Sequence, residues 1–491
     1  MESIFGNSLT TGAAAFLFLA LGLALAFEFV NGFHDTANAV ATVIYTNSLE
    51  PTVAVVWSGI WNLLGVLASS GAVAFGVLAL LPVELVLNVG SGAGFAMVFA
   101  LLIAAIIWNM GTWYLGLPAS SSHTLIGSII GVGLANSMLA PGHVFGEGVN
   151  WAKTQEIGIS LLVSPLVGFT LAALLLIVCK AVIKRVELYT APEKGVPPPM
   201  WIRAILVLTC TGVSFAHGSN DGQKGMGLVM LILIGIVPSI YAVNLGLPPE
   251  EIQAFEASTI GTSAVFDKYV TGAPVKHDFA QVELSNFLKT TGKSSPETFS
   301  ALANKNREIT ETLMNKKSLK ELTEDQRSDL RSNLYLVSES IGKLTKQHKF
   351  KDEDLPTLVS YKTHVERFTK FIPDWVKYAV ALALGLGTMI GWKRIVVTVG
   401  EKIGKEHLTY AQGASAELVA MTTIGAADIL GLPVSTTHVL SSGIAGTMVA
   451  NGSGIQMATV KSLALAWVLT LPVCIGLGFA LFALIMTLFV N

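Results

Sequence analysis

The first basic residue in the chain is Lys153. The preceding 152 positions hold long apolar runs and no lysine or arginine. Such a stretch does not suit a water-soluble fold, in which about a quarter of residues are charged. Across all 491 residues 13% are charged and 52% hydrophobic, which leaves repeated passage through a bilayer, at about 20 apolar residues per pass. Eleven such runs can be read between residues 12 and 490, predicting an all-α polytopic membrane protein of about 10–12 spans. The 31 Lys and Arg nearly balance 33 Asp and Glu, so there is no basic face for nucleic acid, and the apolar content excludes a disordered regulator.

The charges are segregated. Residues 248–373 hold 36 of the Asp, Glu, Lys and Arg side chains. The chain therefore divides into a first membrane repeat (1–180), a basic cytoplasmic linker (181–200), the start of a second repeat (201–247), a soluble helical insert (248–373) and the rest of the second repeat (374–491). In the insert, Leu330, Leu334, Val337, Ile341 and Leu344 follow helical spacing, and Thr323 with Gln326 has capping-box spacing. Cys179, Cys210 and Cys474 lie in apolar runs without paired spacing, as packing residues would. With no basic residue ahead of it, the first apolar run reads as a span rather than a cleaved signal.

Four interruptions of the apolar runs are related in pairs. Gly116-Leu117-Pro118-Ala119-Ser120-Ser121-Ser122-His123 returns 315 residues later as Gly431-Leu432-Pro433-Val434-Ser435-Thr436-Thr437-His438. More weakly, Asn31-Gly32-Phe33-His34-Asp35 aligns at an offset of 186 with His217-Gly218-Ser219-Asn220-Asp221. The offsets differ by 129 residues, about the length of the insert lying between the second copies. The body is thus two copies of one unit. All four interruptions are expected to break their helices into re-entrant halves.

Basic residues of short loops mark the cytoplasmic side. Lys180, Lys184, Arg185, Lys194 and Arg203 cluster between the halves, and Lys393, Arg394, Lys402 and Lys405 lie in a later loop, whereas its counterpart near residues 82–92 has none. Corresponding loops on opposite sides predict an inverted repeat, an architecture that places a transport site near the bilayer midplane. The N- and C-termini are then expected outside the cytoplasm. Parity counted from the loop at 393 favours the outside for the insert if the second broken helix counts as one pass.

Pro118 and Pro433 suit the first turn of a helix, and the hydroxyls of Ser120, Ser121, Ser122, Ser435, Thr436 and Thr437 then lie beside unpaired backbone N–H groups. Helix starts bind anions. Two of them converging suit a small tetrahedral oxyanion, phosphate or sulfate. Asp35 and Asp221, with Glu28 nearby, are ionisable groups in apolar surroundings, where charge is costly enough to imply a functional or paired role. With the amides of Asn31, Asn38 and Asn220 they form an oxygen set suited to Na⁺ or Mg²⁺, or they carry protons. His34, His123 and His438, with Asn220, are candidates for metal or proton, and together with His217 the four histidines permit proton coupling. Glu417 and Asp428 are further acids within apolar runs. No Gly-x-x-x-x-Gly-Lys-Ser/Thr loop, nucleophile elbow or zinc-protease spacing is present, so a secondary transporter is favoured over an enzyme.

These four motifs, in this order over about residues 10–247 and 375–490, resemble the PiT family of inorganic phosphate transporters, closest in order to its bacterial low-affinity Pit members. The resemblance implies phosphate symport, with Asp35 and Asn38 matching the acid and amide of the first motif and Asp221 the acid of the second. It assigns Ser120, Ser121, Ser122, Ser435, Thr436 and Thr437 to phosphate. His34 stands where the first motif has Asn, and Lys224 where the second has its last Asn. Lys224 is expected to act as a built-in cation in place of Na⁺, favouring proton coupling. The bacterial members further imply a neutral complex of phosphate with Mg²⁺, Ca²⁺ or Zn²⁺ as cargo, no permanently bound cofactor and an inner-membrane location. Lipid surrounds such a protein, and a homo-oligomer is compatible with it. The alternatives left open are sodium-coupled phosphate transport and a sulfate or other oxyanion permease of the same architecture. Of the two oxyanions, phosphate is favoured, because HPO₄²⁻ can donate its proton to Asp35 or Asp221 and sulfate has none to give.

Overall fold

A computed structural model of the chain describes residues 10–81, 91–139, 145–146, 149–193, 195–271, 277–289 and 292–490; the side chains of 36–38, 277 and 278 fall outside the description. Among the described residues the fold is helical apart from one isolated bridge between Gly404 and Ile455. The first half contains α1 (Thr11–Tyr45), α2 (Pro51–Ala68), α3 (Ala72–Leu78), α4 (Gly92–Tyr114), α5 (Ser121–Leu139) and α6 (Trp151–Val182). α7 (Met200–Ile236) and the short α8 (Pro238–Tyr241) lead to the insert, which holds α9 (Pro249–Asp267), α10 (His277–Leu288), α11 (Pro296–Leu313), α12 (Glu324–Lys346) and α13 (Leu355–Thr369). α14 (Asp374–Thr388), α15 (Lys393–Glu401), α16 (Tyr410–Ile429), α17 (Thr436–Asn451) and α18 (Met457–Ile485) complete the chain.

Among the described residues seven helices are long and apolar enough to cross a membrane, or eight if α14 and α15, bent by 63° at their junction, form one span. This is fewer than the 10–12 spans expected from the eleven apolar runs. One reason is that the runs on either side of residues 217–224 are a single helix, α7. Others are that α17 has only 16 residues and that α16 carries Glu417 and Asp428.

Two of the four expected breaks are not breaks. α1 passes unbroken through residues 31–38 and α7 through 217–224. Neither segment contains proline, and helical periodicity places their polar side chains on one inward stripe instead. Asn31, His34, Asp35, His217, Asn220, Asp221 and Lys224 are all buried. The other two interruptions do break the helix, and in the same way. Gly116 and Gly431 have φ of +67° and +65°, the left-handed conformation that glycine adopts without a Cβ penalty. In the first copy Leu117 N bonds Thr112 O and Gly116 N bonds Trp113 O; in the second Leu432 N bonds Ala427 O and Gly431 N bonds Asp428 O. These paired bonds are Schellman closures of α4 and α16. Proline follows, and α5 and α17 start again after it.

The halves pack by exchanging partners. α2 packs on α7 as α14 packs on α1, and α5 packs on α18 as α17 packs on α6. Contact is backbone to backbone: a Cβ on Gly65 of α2 would lie 2.1 Å from Phe215 O of α7, and one on Gly387 of α14 would lie 2.1 Å from Phe29 O of α1. Phe29 and Phe215 are 186 residues apart, the offset of the acidic motifs.

The insert has its own apolar core, including Phe255, Phe266, Leu302 and Phe368. Leu330, Leu334, Val337, Ile341 and Leu344 of α12 are buried in it, and Thr323 and Gln326 form the capping box that their spacing predicts. α7 is about 55 Å long and joins two faces of the body. At its start Arg203 Nε donates to Ser48 O, while Gly400 of the basic 393–405 segment lies against Tyr45. At its end the insert attaches, with Arg327 Nη1 donating to Ser239 O and Asn244 N to Phe368 O. The insert and the short basic loops therefore occupy opposite faces.

Candidate functional site

The polar stripes of α1 and α7 meet beside the starts of α5 and α17. Asp35 lies at the centre. Its Oδ1 accepts a hydrogen bond from Thr437 Oγ1 at 2.8 Å and lies 2.9 Å from His34 Nδ1, while Oδ2 accepts from Ser121 Oγ at 3.2 Å. One carboxylate thus ties together two half-helix starts that are far apart in sequence. His34 is held from behind, its Nε2 3.0 Å from Thr112 Oγ1.

Lys224 supplies the only ammonium in this cluster among the described residues. It is fully buried, donating to Asp221 Oδ1 at 2.7 Å and to Ser122 Oγ at 2.5 Å. Ser122 Oγ in turn donates to Val434 O at 2.8 Å, in the second hydroxyl motif. The lysine is therefore connected to both half-helix motifs. A buried ion pair is costly to form and costlier to break one-sidedly, which makes Lys224 part of the site's electrostatics rather than a residue reaching for water.

His217 was not grouped with the two acids from sequence, yet it lies between them. Its Nε2 is 3.9 Å from Asp35 Oδ2 and 3.6 Å from Asp221 Oδ2, and its Nδ1 is 2.5 Å from Asn62 Oδ1. Asp35, His217 and Asp221 offer ligand atoms that all lie within 4.8 Å of one another. Two carboxylates and an imidazole form a set able to hold a divalent cation or a proton. In formal charge, counting histidine as neutral, Asp35, Asp221 and Lys224 sum to one negative charge.

The remaining predicted residues take other places. Ser120 and Ser435 act as caps, accepting from His123 N and His438 N. Thr436 Oγ1 is buried without a hydrogen-bond partner among the described residues. Asn220 Nδ2 donates to Leu432 O, while its Oδ1 has no such partner. Glu28 is fully buried one turn from the cluster, with Oε2 accepting from Asn31 at 3.5 Å and its Cγ against Gly225. His123 and His438 face each other with ring centroids 4.7 Å apart, and His438 stacks on Trp467 at 4.1 Å. The side chain of Asn38 lies outside the described residues. Of the two further acids, Glu417 is held by both halves of the chain, accepting from Thr42 and Thr209, while Asp428 accepts from Ser219 and Gln223 within the second half.

A helical body with many apolar spans, two half-helix starts converging on buried acids and a buried lysine is the architecture of a membrane transporter. Residues 31–478 match the phosphate transporter family, and the chain belongs to that family, the one its motifs resemble. It is 43% identical over 493 residues to the low-affinity inorganic phosphate transporter PitA of Escherichia coli K12, covering 97% of both chains. It is 44% identical over 485 residues to PitB of the same strain, covering 95% of this chain and 96% of PitB. A probable low-affinity inorganic phosphate transporter of Bacillus subtilis is 27% identical over 456 residues. A solved structure called the sodium-dependent phosphate transporter shares the fold, with a TM-score of 0.53 at 18% identity over 96% of this chain and all of that one. These relatives are transporters and not enzymes.

Proposed function

We propose that the protein imports inorganic phosphate by cation symport, with protons as the driving ion and a divalent metal–phosphate complex as cargo. The observation that carries this reading is Asp35 bound by Ser121 of one half-helix and Thr437 of the other. Phosphate entering between the two starts takes over those hydroxyls, adds Ser122 and Thr436, and meets backbone N–H groups at both helix starts. A protonated phosphate oxygen donates to the Asp35 carboxylate, which sulfate cannot do at neutral pH.

Charge requires the co-transported cation. HPO₄²⁻ beside a cluster of charge −1 makes −3, and net charge in a low-dielectric interior is prohibitive. A divalent metal with the phosphate and a proton on the Asp35–His217–Asp221 set bring the total to zero. Lys224 already occupies the side of Asp221 where a sodium ion would otherwise balance charge, which supports protons over sodium. The same three side chains support the second reading, sodium-coupled phosphate transport, with Na⁺ between the two carboxylates.

The exchanged packing of the two halves supports an inverted repeat whose parts rock around this site. By the positive-inside rule the face bearing Lys184, Arg185, Arg203, Lys393 and Lys402 is cytoplasmic. The insert, the start of α1 and the turn that follows α18, where Val490 lies against Gly92, are then outside a bacterial inner membrane.

The binding part of this reading is tested by calorimetric titration of the purified protein with phosphate and with sulfate. Ser121→Ala combined with Thr437→Val removes one hydroxyl from each half-helix. At roughly 1 kcal/mol per neutral hydrogen bond, phosphate affinity should fall about 10-fold or more. Unchanged affinity, or sulfate binding as tightly as phosphate, would refute the assignment of these starts to phosphate.

A further inference from the structure

A cavity of about 420 Å³ lies between the end of the membrane body and the insert, within the roughly 300–1,000 Å³ of small-molecule sites. Its body wall is mainly apolar, with Phe75 and Leu78 of α3 and Leu231 and Ile234 of α7, beside the polar Ser91 and Asn150. Its insert wall is polar, with Ser328, Arg331, Ser332 and Glu339 of α12 and Lys362 of α13.

Arg331 is oriented in advance. Its Nη1 donates to Ala242 O at 3.2 Å and to Thr369 O at 2.8 Å, so the guanidinium is fixed at the seam while Nε and Nη2 have no partner among the described residues. Burial draws this group down to about 10, which leaves it charged at neutral pH. Lys362 Nζ and the hydroxyls of Ser328 and Ser332 likewise have no partner among the described residues. Lys370, also on the rim, is neutralised by Glu366 at 2.6 Å. Two unpaired cations and two hydroxyls therefore share one cavity wall, opposite four apolar side chains.

We propose that this cavity is a second phosphate-group site, outside the central one, in which Arg331 and Lys362 hold the phosphate oxygens. A planar guanidinium with two free donors matches a phosphate group bidentately. The group has two sources. A phospholipid headgroup would use both walls, laying its glycerol and acyl root on Phe75, Leu78, Leu231 and Ile234, and an amino headgroup would meet Glu339. Free phosphate would use the polar wall alone, as a collecting point on the insert side of the body. Neither source depends on what the central site carries.

The test uses the full-length protein purified from membranes. Native mass spectrometry reads retained phospholipid, and binding of radiolabelled inorganic phosphate is measured in an Asp35→Asn background, where the central site is impaired. The wild type should retain one phospholipid per chain, or the Asp35→Asn protein should keep a phosphate-binding event. Whichever is found should weaken about 10-fold in Arg331→Gln and in Lys362→Gln, each of which removes a charge-assisted contact. Because Arg331 also pins the seam, Lys362→Gln and the cavity-filling Ser332→Trp carry the test if Arg331→Gln fails to fold. Lipid retention and residual phosphate binding unchanged by Lys362→Gln and Ser332→Trp, or neither lipid on the wild type nor phosphate binding in the Asp35→Asn protein, would overturn the proposal.

Discussion

Asp35→Asn is expected to lower phosphate uptake at least about 100-fold while the protein still reaches the membrane. The substitution keeps shape and changes charge. Asn offers one acceptor where Asp35 offers two, so its amide nitrogen would donate to Ser121 Oγ or Thr437 Oγ1, one of the two hydroxyl bonds that tie the half-helix starts reverses direction, and neither is charge-assisted any longer. Hydrogen bonds to a charged group are worth about 1.5–3 kcal/mol each against about 1 for neutral ones, so losing the charge behind both accounts for a 100-fold effect. Proton acceptance from phosphate is also lost, because an amide does not titrate in this range. Uptake per molecule should be measured with the amount of folded protein fixed by binding or melting assays. Near-normal uptake by Asp35→Asn would remove the carboxylate from the mechanism.

Lys224→Asn is expected to have the second largest effect, and of a different kind. Removing one partner of a buried pair costs about 3–5 kcal/mol, here by leaving Asp221 beside His217 without its ammonium and Ser122 Oγ without its donor. The cluster then carries charge −2, and transport requires one more cation. Proton-driven uptake should fall steeply, and added sodium should both restore part of it and raise the melting temperature of the variant but not of the wild type, since a ligand that binds only the folded state stabilises it. The readout is uptake against sodium concentration beside a thermal melt. An unchanged ion dependence in Lys224→Asn would dispose of the built-in cation.

Some of this was legible in the sequence for identifiable reasons. The half-helix starts at Pro118 and Pro433 could be read because backbone chemistry dictates them: a glycine that ends one helix, a proline that cannot continue it and hydroxyls that cap the next. The stripe from Leu330 to Leu344 was readable because it lies in water, where burial has one side. The stripes on α1 and α7 were misread as breaks for the complementary reason. In a membrane body both polar and apolar residues can face inward, so Asn31, His34 and Asp35 interrupt an apolar run without interrupting the helix.

The sequence counts His217 among four histidines able to carry protons but does not place it between the two acids. At the offset of 186 it stands where Asn31 does, and Asn220 where His34 does, so the two copies exchange an imidazole and an amide around the shared aspartate. That exchange is the signal that could have placed His217 on the same stripe as Asp221, four residues on. Its approach to Asp35 across the α1–α7 contact is tertiary, as are the pairings of Glu417 with Thr42 and Thr209. No periodicity within one helix reveals them.

The central claim is phosphate symport driven by protons with a metal–phosphate cargo, and radiolabelled phosphate uptake into proteoliposomes tests it most directly. Proton and sodium gradients are imposed separately, each with and without Mg²⁺. Uptake driven by the proton gradient and raised by Mg²⁺ is the predicted result. Uptake driven only by sodium would contradict the account of Lys224 while keeping phosphate as substrate, and no phosphate uptake under either gradient would contradict the account as a whole.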